Sequence, residues 1–161
     1  MPARARRPND RRTAWRLAAA LAVAVVLFFT LREDELVTWS HLTGRNLVPL
    51  RHHLAALRCV LDDCGNAQAA LHYLLVDVVG NVLLFVPVGL TLTGASRLRS
   101  RFARLAAATA LAAALSLAIE LVQLLMPTRA SDVDDVLFNT LGALVGAVAA
   151  LPFVRRGRAR G

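Results

Sequence analysis

Four long apolar runs, Trp15 to Leu31, Leu71 to Thr93, Leu105 to Met126 and Val133 to Val154, decide what this chain can be. Each approaches or reaches the roughly 20 residues that a helix needs to cross the hydrocarbon of a bilayer. A backbone in hydrocarbon has no water to bond to, so each run must satisfy its own N–H and C=O groups as a helix. Hydrophobic residues make up 57% of the 161 positions, against about 45–50% in soluble domains. The expected fold is an all-α integral membrane domain over residues 15–154, a small bundle of four transmembrane helices. A membrane-surface loop is expected between spans one and two. Basic tails, 1–14 read as disordered and 155–161, flank the domain.

The first run has the layout of a secretory signal peptide, a basic start followed by an apolar middle. It is followed by Arg32-Glu33-Asp34-Glu35 with no small-x-small cleavage pattern, which favours an uncleaved first helix. Between spans one and two, Trp39, His41, His52 and His53, with Tyr73 nearby, suit a partly amphipathic segment lying in the headgroup region.

The net charge of +8 invites a nucleic-acid reading, but the arginines crowd the ends of apolar runs and few aromatics accompany them. No nucleic-acid partner is expected; membrane lipids are. The N-terminal stretch through Arg16, the loop Gly94 to Arg104 and the C-terminal tail carry fourteen of the nineteen arginines and one acid. The other two loops, taken with the first turn of span four, carry five arginines and eight acids. By the positive-inside bias both termini are expected in the cytoplasm, with the acidic loops facing outward.

Polar residues inside the runs are costly unless paired or turned to a polar cavity, so they mark the candidate site. Asp77 and Glu120 each lie six residues below the expected outer end of their spans, about 9 Å at 1.5 Å per residue. Asn139 lies at similar depth and Asn81 nearer the midplane. Asp77 and Asn81 are four apart; Ser116, Glu120 and Gln123 are spaced by four and three; Asp135, Asn139, Gly142 and Gly146 by four, three and four. Each set forms a stripe on one helix face. The three stripes are expected to face one another around an outward-open polar pocket, and Gly142 and Gly146 to let another helix approach closely. Between spans three and four, Pro127 ends a helix, Ser131 or Asp132 can cap the next, and Arg129 is a cationic partner for Glu120 or an aspartate. Pro87 removes one backbone bond inside span two.

Three stretches resemble the VanZ-like family. Asn46-Leu-Val-Pro-Leu50 is similar to its NLxPF segment, with Leu50 in place of the usual aromatic. Asn81 to Gly89 is similar to its NxxLFxPxG segment. Glu120, Gln123, Arg129, Asp132, Asp135, Asn139, Gly142 and Gly146 follow its longest signature in order and spacing. The resemblance covers about Leu17 to Leu151 and adds Asn46 to the candidate pocket. It implies a multi-pass protein of the bacterial cytoplasmic membrane, with a namesake associated with low-level teicoplanin resistance. Members have been labelled acyltransferases, a label that these motifs do not independently support.

Each sharp reading has a plain counterpart. Glu120, Gln123, Asp135 and Asn139 either lock helices together or line a pocket; Asp132 and Asp134 either cap a helix or join it. His52, His53, Cys59, Cys64 and His72 match no zinc spacing, and no metal or cofactor is expected. Cys59 and Cys64 lie close enough for a disulfide or remain two thiols. Ser116 has no histidine in any shared motif. The main expectation is a protein that binds a lipid-linked or peptidoglycan-related headgroup and contributes to glycopeptide tolerance. The alternatives are a membrane enzyme with Glu120 or Asp135 as acid or base and an accessory subunit without a ligand. A transporter is disfavoured because the polar groups lie on one side only.

The orientation has a direct test. In a Cys59→Ser/Cys64→Ser background, single cysteines placed between Arg32 and Ala70 should react with an impermeant thiol reagent from outside. Cysteines between Gly94 and Arg104 should not, and their labelling would refute the cytoplasmic placement of the termini.

Overall fold

The computed structural model describes residues 8–31, 46–126 and 132–154. Six α-helices account for most of them: α1 (Pro8–Leu31), α2 (Arg51–Leu61), α3 (Ala67–Leu74), α4 (Gly80–Ala95), α5 (Arg101–Gln123) and α6 (Val133–Ala150). A single π-turn, Leu75–Val79, joins α3 to α4, and a 3-10 turn, Leu151–Phe153, closes α6. Among the described residues there is no named strand, only an isolated parallel bridge between Asn46 and Asp132.

Four stretches are long and apolar enough to cross a membrane: α1 from Asp10, the unit Ala67–Ala95 formed by α3, the π-turn and α4, then α5, and α6 with its 3-10 turn. This is the four-span, all-helical membrane bundle that the apolar runs predict. Its outer surface is hydrocarbon, with Leu17, Phe29, Leu83, Leu111 and Leu125 all exposed. An apolar surface of that extent suits lipid, not water.

Two boundaries differ from the sequence expectation. The first helix starts at Pro8, inside the segment 1–14 expected to be a disordered tail. Proline suits the first helical position, where its missing N–H would have no partner, and Asp10 favours the positive end of the helix. The segment between spans one and two is no simple loop in its described part. It contains α2, and the second span begins at Ala67, before Leu71. Trp39 and His41 lie outside the described residues.

α4 is the centre of the bundle, packed on α6, α1 and α5, while α5 also lies along α6. The α4–α6 contact is made by small residues. A Cβ on Gly142 would collide with the carbonyl of Val82, one on Gly146 with that of Val86, and one on Gly89 with that of Ala143. With Ala143 and Ala147 fully buried between them, the two backbones meet almost without side chains. In lipid no hydrophobic effect drives helices together, so such close dispersion contact takes its place. Phe85, Val88, Val26 and Ala112 complete the dry core. This packing brings the N-terminal end of α6 beside the start of α4.

Replacing Gly142 or Gly146 by Leu should lower the unfolding free energy in micelles by about 1–3 kcal/mol or abolish expression, as overpacking does. A Cβ added at Gly80 would meet nothing within 4 Å, so Gly80→Ala should be neutral or stabilising by up to about 1 kcal/mol. Equal melting of all three variants would show that the α4–α6 contact is not close.

Candidate functional site

The polar residues at one end of the bundle form a connected chain of hydrogen bonds. It starts at the N-terminus of α6, where four backbone N–H groups have no partner in the helix. Asp132 is the N-cap, its carboxylate accepting from the Asp134 N–H at 2.9 Å. The Asp132 N–H in turn donates to Glu120 on α5 at 2.9 Å. The Asn46 side-chain amide donates to both oxygens of Asp132, at 2.9 and 3.1 Å. The Asn46 carbonyl accepts from the Val133 N–H at 3.1 Å, so the segment before α2 is stitched to the start of α6.

Asp134 is the centre of this arrangement. It has no exposed surface, and a carboxylate so placed needs donors on every side. The Leu50 N–H supplies one at 2.7 Å, the Asn46 amide a longer one at 3.4 Å, and His53 Nδ1 faces it at 2.9 Å. Leu50 takes a left-handed conformation, φ 60°, to start α2 and present its N–H there. That conformation costs a branched residue about 1–2 kcal/mol, which the charge-assisted bond offsets.

His53 continues the chain. Its Nε2 faces Asp77 at 2.8 Å, so one imidazole spans two carboxylates. The ring is buried and held by Tyr73 on one side and Phe138 on another, with centroids 5.2 and 4.9 Å away. Asp77 sits in the π-turn, a one-turn widening that re-aims side chains relative to an ordinary helix. Its side chain keeps 29% of its surface open, which makes it the accessible end of the relay. One turn on, Asn81 donates to Asp135 at 2.7 Å, tying α4 to α6.

Gln123 and Asn139 make different contacts. The Gln123 amide donates to the Thr30 carbonyl on α1 at 2.9 Å, and the Asn139 amide to Ser116 Oγ on α5 at 2.9 Å. Both are buried, and the side-chain carbonyl oxygen of each has no hydrogen-bond partner among the described residues. These are interhelical bonds in the bundle, apart from the chain that runs through His53. Gly142 and Gly146 lie against α4, as described above. Arg129 falls outside the described residues, so its pairing does too, as does the capping role considered for Ser131.

Two residues of the site lie beyond the candidate set that spacing defines. Spacing marks Asp134 only as a helix cap or a pocket neighbour, yet its carboxylate gathers Asn46, Leu50 and His53. It marks His53 only as part of a headgroup-region segment and of a His/Cys set that matches no zinc spacing. The partners of His53 lie 24 and 81 positions away, so no local spacing reveals them. The Asn46 and Leu50 positions of the NLxPF-like segment are the available clue, since they deliver α2 to α6. Cys59 and Cys64 are joined in a disulfide with Cα atoms 5.0 Å apart, which decides between two thiols and a bridge. Among the described residues no group of three or more His, Cys, Asp and Glu side chains has a metal-holding arrangement.

A bundle of four apolar helices whose buried ionisable side chains, among the described residues, gather at one end defines a small multi-pass membrane protein. The sequence pattern of the family described as VanZ/LLP1 matches residues 16–155, and the chain belongs to that family. No curated protein and no solved structure matches it.

Asp134→Ala would leave the Leu50 N–H and His53 Nδ1 without their partner, while the Asn46 amide keeps Asp132. Each unmet buried donor costs about 1–3 kcal/mol, so this variant should unfold at least about 2 kcal/mol more easily than the parent. An unchanged melting temperature in micelles would mean that the carboxylate is not the organising acceptor.

Proposed function

We propose that this end of the bundle faces outward from the bacterial cytoplasmic membrane and binds the polar headgroup of an envelope lipid or a lipid-linked cell-wall intermediate. Binding there contributes to tolerance of teicoplanin-type glycopeptides. The observation that carries the reading is the convergence of Asn46, Asp77, Asn81, Glu120, Asp132 and Asp135, from five segments, on one end of the bundle. A structural need alone is met more cheaply by apolar packing, because buried ionic groups are often no more stable than hydrophobic replacements. Asp77, Asp132 and Asp135 are only partly buried, so the network has an edge that a ligand can reach. Family membership and the four apolar spans support the membrane setting; the excess of arginine in the tails and in the loop between spans two and three supports the orientation.

Within this reading the polar residues divide their work. Gln123 and Asn139 hold α5 to α1 and α6. Glu120, Asp132, Asp135, Asn81 and Asp77 present carboxylates and amides at the edge, and Arg129, three positions before Asp132 in the sequence, supplies a cation to an anionic group of the ligand.

The reading is tested by comparing Glu120→Gln, Arg129→Met and the double variant Glu120→Leu/Arg129→Met. Melting temperature, co-purified lipid and glycopeptide susceptibility of the host are measured together. The double variant should recover the part of the stability that a stranded charge costs, though not the Asp132 N–H bond to Glu120, while losing the bound lipid and the tolerance. A double variant that folds and keeps both would refute headgroup binding.

A further inference from the structure

Helix α2 lies outside the four spans and packs along α3. Among the described residues, the hydrogen bonds that join α2 itself to the π-turn and to α6 are those of His53. Both ring nitrogens face a carboxylate oxygen, at 2.9 and 2.8 Å. A neutral imidazole has one N–H and one lone pair, and an ionised carboxylate only accepts. Two N···O contacts among three such groups therefore require two protons. Either both lie on the ring between two carboxylates, or one lies on the ring and one on a carboxyl group.

We propose that Asp134, His53 and Asp77 form a proton-binding latch, in which the second proton holds α2 on the bundle and its loss releases α2. With one proton left, a ring lone pair and a carboxylate oxygen would meet at less than 3 Å in one of the two contacts. That replaces an attractive contact with a repulsive one at a ring that is itself buried. The groups facing the ring are Asp77 from the π-turn, Asp134 from α6 and Tyr73 from α3, with Asp132 and Asp135 on the same end of α6. Among the described residues no arginine is paired with Asp77 or Asp134, so the relay's own proton opposes their charge. The response is one-sided. A third proton, added in acid, leaves each carboxyl a carbonyl oxygen that still accepts, so the latch holds at low pH and opens as pH rises.

The consequence is local. Opening removes α2 and its Leu50 N–H from Asp134 and uncovers the edge of the polar network. This inference concerns how α2 is held and stands whether or not a headgroup binds there.

The test is hydrogen–deuterium exchange of the Arg51–Leu61 amides in lipid nanodiscs, from mildly acid to alkaline pH, expressed as protection relative to each amide's intrinsic rate. In the parent, α2 protection should fall at least about tenfold across the range, the scale of one charge-assisted hydrogen bond. Protection of α6 should stay constant and serves as the check on folding. In Asp77→Asn the amide donates to Nε2 while the ring donates to Asp134, so a single ring proton satisfies both contacts at every pH. That variant should keep α2 protected with no pH dependence. His53→Leu should leave α2 unprotected at every pH. A flat parent profile, or a parent-like fall in Asp77→Asn, would overturn the proposal, and the second arm stands even where His53→Leu fails to fold.

Discussion

A fully buried carboxylate at the end of a membrane helix is the constraint around which this end of the protein is arranged. Asp134 cannot be hydrated, and its desolvation is tolerable only with donors on all sides. Those donors come from a backbone N–H at Leu50, an amide at Asn46 and an imidazole at His53. All three lie on the segment between spans one and two, so satisfying one side chain on α6 dictates where a distant stretch of chain must dock. The left-handed backbone at Leu50 and the bridge from Asn46 to the start of α6 follow from the same need.

The docking works only because α4 and α6 are held so close. Glycines at 89, 142 and 146 and alanines at 143 and 147 remove side chains from the contact. The result places Asn81 within 2.7 Å of Asp135 and brings the π-turn with Asp77 alongside. Bulkier residues at that seam would separate the two halves of the polar network even with every polar side chain intact. Packing in the apolar middle of the bundle and chemistry at its end are thus one design, linked through helix separation.

Much of the candidate set is legible from spacing because helices convert sequence interval into position. Asp77 with Asn81, and Asp135 with Asn139, are one turn apart, and lipid excludes such side chains from its own face. Spacing therefore locates α4, α5 and α6 as the helices whose polar stripes meet. It overlooks His53, which sits on a short helix with no apolar run to announce it, and it undervalues Asp134, which looks like an ordinary first-turn acid. It also has no means of showing the π-turn, since one widened turn leaves no mark on composition. The early start of α1 at Pro8 is hidden for a different reason: proline counts as a breaker in most positions, but at a first helical position it is favourable.

What the amino-acid sequence determined by itself is everything that follows from solvent and period: four spans, helical throughout, with polar stripes on three of them. Apolar length and the ban on unpaired backbone in lipid leave no other solution. What only the tertiary structure decided is which polar group meets which. Hydrogen bonds between residues 81 to 86 positions apart depend on distances set by helix packing and by a turn geometry without a sequence period. The imidazole between two carboxylates is the clearest case, because each residue alone is commonplace and their meeting places two protons among three groups.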